Sequence, residues 1–190
     1  MPEAAIILSG PLWVREFPTS RSTRDLVSPF RENVDRFLAA LEAAGVTILI
    51  EATLRPPARA HLMHYAWRIA REDLDPRSIP VHPGIPIDWC HRDSAGQPCF
   101  AAAFAAAQAM VEAYDIVYRP AVTSVHCEGR AIDLTLTWPG DIEVKDTTGR
   151  AVAVRGSPRN CNHPTLHAIG ATYGVLKLVR DTPHWSDNGR

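Results

Sequence analysis

The segment Thr123–Asp133, TSVHCEGRAID, gathers a serine, a histidine, a cysteine, a glutamate and an aspartate around one glycine. His126 and Asp133 are both metal-ligating types, seven positions apart. On a straight strand that interval spans about 23 Å, whereas two ligand atoms on one zinc ion lie within roughly 4 Å of each other. The chain must therefore fold back between them, and Gly129 offers a residue without Cβ for the turn. RAIDLTLTW then alternates. Period two puts Ala131, Asp133, Thr135 and Thr137 on one face and Ile132, Leu134, Leu136 and Trp138 on the other, so Asp133 points to the polar side of a half-buried strand.

A catalytic zinc takes three protein ligands and leaves one position open. The third candidate is His184, in DTPHW at Asp181–Trp185. Pro183 argues against a helix there, so this is not an HExxH arrangement. In extended chain, positions three apart face opposite ways. A bend at Thr182–Pro183 is needed for Asp181 and His184 to serve one ion. His184 would then ligate, and Asp181 would accept a proton from water at the site.

These residues resemble a known family. Ser124, His126, Gly129, Ala131 and Asp133 fill every fixed position of SxHxxGxAxD, the mark of the zinc D-Ala-D-Ala carboxypeptidase and dipeptidase superfamily. The downstream signature in many members is Glu-x-x-His. Here it is Asp181-x-x-His184, and Asp-x-Pro-His before an aromatic resembles the L-alanyl-D-glutamate endopeptidase branch. The resemblance implies one Zn2+ per chain on His126, Asp133 and His184, with Asp181 as general base. It also implies an upstream arginine for the scissile carbonyl or a substrate carboxylate. Arg55, in ATLRPPARAHLMH, is preferred to Arg119, in YRPAVTS. Ser124, Arg119 and Trp185 are substrate-binding or second-sphere candidates.

The implied activity is a metallopeptidase hydrolysing peptidoglycan stem peptides, cutting within the stem with a zinc-activated water. A D-Ala-D-Ala dipeptidase or carboxypeptidase is the alternative enzyme. A zinc-stabilised binding domain without catalysis, as in hedgehog-type relatives, is the alternative of another class. An intact Asp181 argues against the latter. The likeness runs from about Val46 to the C-terminus, and residues 1–24 carry none of it.

Other combinations are weaker. His126-Cys127-Glu128 opens a nucleobase-deaminase motif, but no P-C-x-x-C follows. Cys127 beside His126 has no evident nucleophile geometry. His163 and His167 are four apart but lack a third ligand. Cys90 and Cys99 flank a polar loop and could bridge only in an oxidising compartment.

The elements that must position the site are readable in outline. A helix runs from Ser28-Pro29, as cap and first position, to about Ala44, with Phe30, Val34, Phe37, Leu38 and Leu41 on one side. VTILIEATL reads as a buried strand. A helix follows over 58–72, and the proline-rich stretch 73–98 reads as an irregular insert. AAAFAAAQAMVEAY is a third helix, IEVKDTTGRAVAV a hairpin, PTLHAIGATYG a short helix and VLKLV a last strand. The expectation is one α+β domain over 1–190: a small antiparallel sheet flanked by helices, with a central zinc site.

The chain has 190 residues, a hydrophobic fraction of 46% and a formal net charge of −1. That predicts a packed core and no basic field for nucleic acid. No apolar run suits membrane insertion. The start lacks a basic n-region, which predicts synthesis in the cytoplasm without a secretory signal. Action on the cell wall would then need a delivery partner, a holin or secretion machinery.

Overall fold

A computed structural model describes residues 6–190; the first five residues of the N-terminal extension lie outside the described residues. In chain order the elements are β1 (Ile7–Leu8), α1 (Phe30–Ala43), β2 (Thr47–Ala52), α2 (Pro57–Glu72), β3 (Ile87–Asp88), α3 (Phe100–Ala113), β4 (Ala131–Thr137), β5 (Ile142–Lys145), β6 (Ala151–Val154), α4 (Pro164–Thr172), β7 (Leu176–Lys177) and β8 (His184–Ser186), with short 3-10 turns between. The fold is mixed α and β with small sheets, as the sequence predicts. Among the described residues no helix is long and apolar enough to cross a membrane.

The chain divides into two compact units, each built from two stretches: residues 1–18 with 56–123, and residues 19–55 with 124–190. The proline-rich stretch 73–98 is thus part of a longer excursion that begins at Pro56.

In the first unit α2 packs on α3. Leu62, Ala66, Ile69 and Ala70 meet Ala107, Met110 and Val111, with Trp13, Ile85, Trp89 and Tyr114 completing the cluster. The insert is largely irregular, as predicted, apart from a 3-10 turn at Pro76–Ser78 and β3. β3 pairs in parallel with β1. Trp89 is a core residue here. Phe100 and Phe104 stay exposed, so α3 is buried on one face only.

The second unit holds a four-stranded antiparallel sheet in the order β2-β4-β8-β7. One face is apolar. Ile132, Leu134 and Leu136 of β4 and Trp185 of β8 pack under Phe30, Val34, Phe37, Leu38 and Leu41 of α1 and Leu166 and Ile169 of α4. The spacing of the α1 residues makes one continuous stripe at the helical period. α1 begins at Phe30 with Pro29, not Ser28, at the cap position, and the Ser28 hydroxyl donates to the Glu32 carboxylate at 2.9 Å. The sequence reads β2 as a buried strand, but Leu49 is half exposed. β2 is an edge strand of the sheet. VLKLV, read as the last strand, holds β7, and the segment that closes the chain contributes one more strand, β8.

Candidate metal centre

Asp133 sits at the centre of three strands. Its cross-strand partner on β8 is His184, and on β2 it is Ala52. Directly opposed residues in an antiparallel pair bring their Cβ atoms to within about 5 Å, so the pairing alone delivers the second and third candidate ligands to one place. His126 arrives from the 3-10 turn Val125–Glu128, which Gly129 ends in the left-handed conformation at φ 67°. The Gly129 N–H donates to the His126 carbonyl and the Arg130 N–H to that of Val125, closing the fold-back.

His126 Nε2, Asp133 Oδ1 and His184 Nδ1 converge. His126 Nε2 lies 3.1 Å from Asp133 Oδ1 and 3.1 Å from His184 Nδ1, and His184 Nδ1 is 3.1 Å from Asp133 Oδ1. These three residues form the one group able to hold a metal ion found among the described residues. Both imidazoles are buried and Asp133 partly so.

The other ring nitrogens fix the tautomers. His126 Nδ1 lies 2.7 Å from the Thr53 carbonyl oxygen and His184 Nε2 lies 2.9 Å from the Arg190 main-chain oxygen. A carbonyl oxygen can only accept, so each of these nitrogens carries the proton. In the neutral rings the inward nitrogens are then lone pairs, facing each other and a carboxylate oxygen. Three acceptors at such distances repel unless a cation or a shared proton lies between them. The donor set, two imidazoles and one carboxylate with both outer N–H groups anchored, suits a borderline divalent ion such as zinc.

A proton shared within the group would meet the same need. Burial alone pushes His184 down, yet the hydrogen bonds to Asp133 and to the Arg190 oxygen hold its pKa above the ordinary value. Burial likewise works to raise Asp133, but hydrogen bonds and charge from His126 and His184 hold it well below the usual carboxylate range.

The anchors are residues whose importance no side-chain motif announces. Thr53 is fully buried; its N–H donates to the Ser20 carbonyl at 2.8 Å and its Oγ1 to the Ser22 carbonyl at 3.0 Å, which fixes the oxygen that receives His126. The Arg190 N–H donates to Ser186 Oγ at 3.1 Å, fixing the oxygen that receives His184. The turn before His184 is closed by its own N–H on the Asp181 carbonyl at 3.1 Å. Lys177 Nζ ties the same turn together, donating to the main-chain oxygens of Leu178, Asp181 and His184.

The remaining candidates fall out as follows. The bend that the sequence required before His184 is present. Asp181 lies in it, exposed and outside the convergent group, close enough for its charge to help raise His184. The Arg55 N–H donates to the His126 carbonyl at 3.1 Å, placing this partly buried residue beside the first ligand in the chain. Arg119 belongs to the first unit and is ion-paired with Glu72 at 3.1 Å. Ser124 touches no ligand atom; its Oγ faces Cys127 Sγ at 3.6 Å. Trp185 corrects the sequence reading. Its neighbour His184 faces the site, so period two turns Trp185 into the core, where it is 0% exposed and packs on Phe37 with ring centroids 5.5 Å apart. It cannot contact a substrate. All four cysteines are free thiols. His163 caps α4 by accepting from the Thr165 N–H, and His167 Nε2 is bound to the Cys161 carbonyl, so neither is available as a ligand.

No protein-family model and no curated protein matches this chain.

Proposed function

We propose that the chain is a zinc-dependent peptidase acting on the stem peptides of peptidoglycan, cutting within the stem as L-alanyl-D-glutamate endopeptidases do. The observation that carries the metal chemistry is the convergence of three acceptor atoms at 3.1 Å, with both outer imidazole nitrogens tied to main-chain oxygens. The resemblance of Ser124–Asp133 and Asp181–Trp185 to the peptidase motifs supports the substrate class. A zinc ion held by His126, Asp133 and His184 would supply Lewis acidity, polarising a carbonyl and making a water more acidic.

The chain's own residues do the rest. Thr53 and Arg190 keep both ring N–H groups turned outward, so the inward lone pairs stay free for the ion. Asp181, exposed and near enough for its charge to act on His184, would accept the proton of the attacking water on its carboxylate and pass it to the leaving amine. Arg55, whose N–H is bonded to the His126 carbonyl, would offer its guanidinium to the scissile carbonyl oxygen as charge develops there. The buried imidazoles exclude bulk water from one side of the centre.

Metal analysis of purified protein should find about one zinc per chain. His126→Ala should lose it, and Asp181→Asn should keep it while losing turnover. Mass spectrometry of digested peptidoglycan should show new peptides beginning at D-Glu. Release of free D-Ala or of the D-Ala-D-Ala dipeptide would move the assignment to the carboxypeptidase or dipeptidase branch. A wild type that purifies metal-free and cannot be reconstituted refutes the metal centre.

A further inference from the structure

The open face of the four-stranded sheet carries a groove of about 400 Å3 that starts at Asp133. Its floor includes Thr135 and Thr137 of β4, and Asn160, Thr182 and Pro183 stand along it. Glu51 of β2 borders it as well. The only charged side chains in this lining are Asp133 and Glu51, both acidic. No lysine or arginine is part of this lining; the nearest cation is Arg21, which meets Glu51 from outside it.

Glu51 is set there by the backbone. Ile50 pairs with Leu134 and Ala52 with Asp133, so Glu51 is the extra residue of a β-bulge in β2. A bulge re-aims the side chain it carries. This one delivers the Glu51 carboxylate to the groove face, where Thr135 Oγ1 donates to its Oε1 at 3.1 Å. The other oxygen, Oε2, is 4.0 Å from an Arg21 guanidinium that is itself two-thirds exposed. Such a contact is weak and easily displaced. Thr135 lies two positions from Asp133, about 7 Å along the strand. Glu51 therefore holds a negative charge roughly two residues' length of extended peptide from the metal ligands.

We infer that Glu51 is a specificity residue: it receives a primary ammonium of the substrate peptide, borne on a side chain about two residues from the scissile bond. This rests on the peptidase reading above and narrows it to peptides containing a diamino acid. The same groove disfavours a chain-terminal carboxylate on this side.

The test uses the zinc-loaded protein and two synthetic peptides, N-acetyl-L-Ala-γ-D-Glu-L-Lys amide and the same peptide acetylated on the lysine Nζ. Binding is followed by calorimetry and cleavage by mass spectrometry. Wild type should bind the free-amine peptide roughly fivefold more tightly, as one partly exposed ion pair allows, and the margin should shrink at high ionic strength. Glu51→Gln should erase the preference while its thermal melt and zinc content stay unchanged; Glu51→Asp should restore part of it. Equal binding of the two peptides to wild type, a preference that survives Glu51→Gln, or no binding of either peptide would overturn the assignment. Cleavage without an amine preference removes the subsite and leaves the peptidase; an amine preference without cleavage keeps the subsite and removes the peptidase.

Discussion

Replacing Gly129 by alanine tests whether the turn between His126 and Asp133 is what assembles the site. Two costs add. The first is conformational: φ is 67°, and a left-handed L-residue costs about 1 kcal/mol. The second is steric. A Cβ built on Gly129 would lie 3.0 Å from the Asp25 carbonyl oxygen and 3.3 Å from Val27 Cγ1. The oxygen belongs to backbone that is itself tied down, since the Val27 N–H donates to the Gly129 carbonyl at 3.0 Å. Relieving the contact means moving the turn, an overpacking cost of about 1–2 kcal/mol. The sum is about 2–3 kcal/mol. Gly140 supplies the control: its φ is 72°, but a Cβ there meets nothing within 4 Å. Gly140→Ala should cost only the conformational part, about 1 kcal/mol. Urea unfolding followed by circular dichroism measures both, and competition with a chromophoric chelator measures zinc affinity. Gly129→Ala should be the more destabilising by about 1–2 kcal/mol and should alone weaken zinc binding, because the displaced turn carries His126. Equal costs for the two variants, or unchanged zinc affinity in Gly129→Ala, would refute the role given to the turn.

Two further outcomes are expected. Burial, helped by charge on His82 and His64, pushes the His61 imidazole down from 6.5 to about 4. The folded state therefore resists a proton that the unfolded chain takes up below 6.5, and stability falls as pH drops from 6.5 to 4 and levels off beneath. The loss is up to about 3 kcal/mol, and denaturation at stepped pH should show this limb in wild type and not in His61→Leu. Lys177→Met removes the ammonium that ties Leu178, Asp181 and His184 together, and should weaken zinc binding roughly tenfold in the same chelator competition, as loss of outer-sphere support does.

The candidate ligands were legible because strand alternation and a glycine at a forced turn are written in side-chain types. Ile132, Leu134 and Leu136 declare a buried face, so Asp133 between them had to point the other way. The supports were not legible. Thr53 and Arg190 act through main-chain oxygens, which every residue possesses, so no residue type marks them. β8 was missed for a related reason. It has three residues, follows a proline, and becomes a strand only because β4 and β7 flank it with unpaired backbone. The division into two units left no trace either. The chain passes between them at Pro18–Thr19, Arg55–Pro56 and Thr123–Ser124 with no run of glycine or serine to mark a linker.

That division bears on the choice of arginine. Arg55 ends the stretch of the second unit that contains β2, and its N–H is spent on the carbonyl of His126 itself. Arg119 lies in the other unit with its guanidinium on Glu72. A residue meant to meet charge developing on a carbonyl must be held in place before the charge appears. The backbone bond from Arg55 to the His126 carbonyl holds its main chain beside that residue, and the period of β8 orients His184. Trp185 is locked in the core beside Phe37, so the adjacent imidazole inherits the rigidity of the core, although its ring faces the open side of the sheet. The candidate ligands Asp133 and His184 thus gain their fixed positions from apolar packing on the reverse of the same strands.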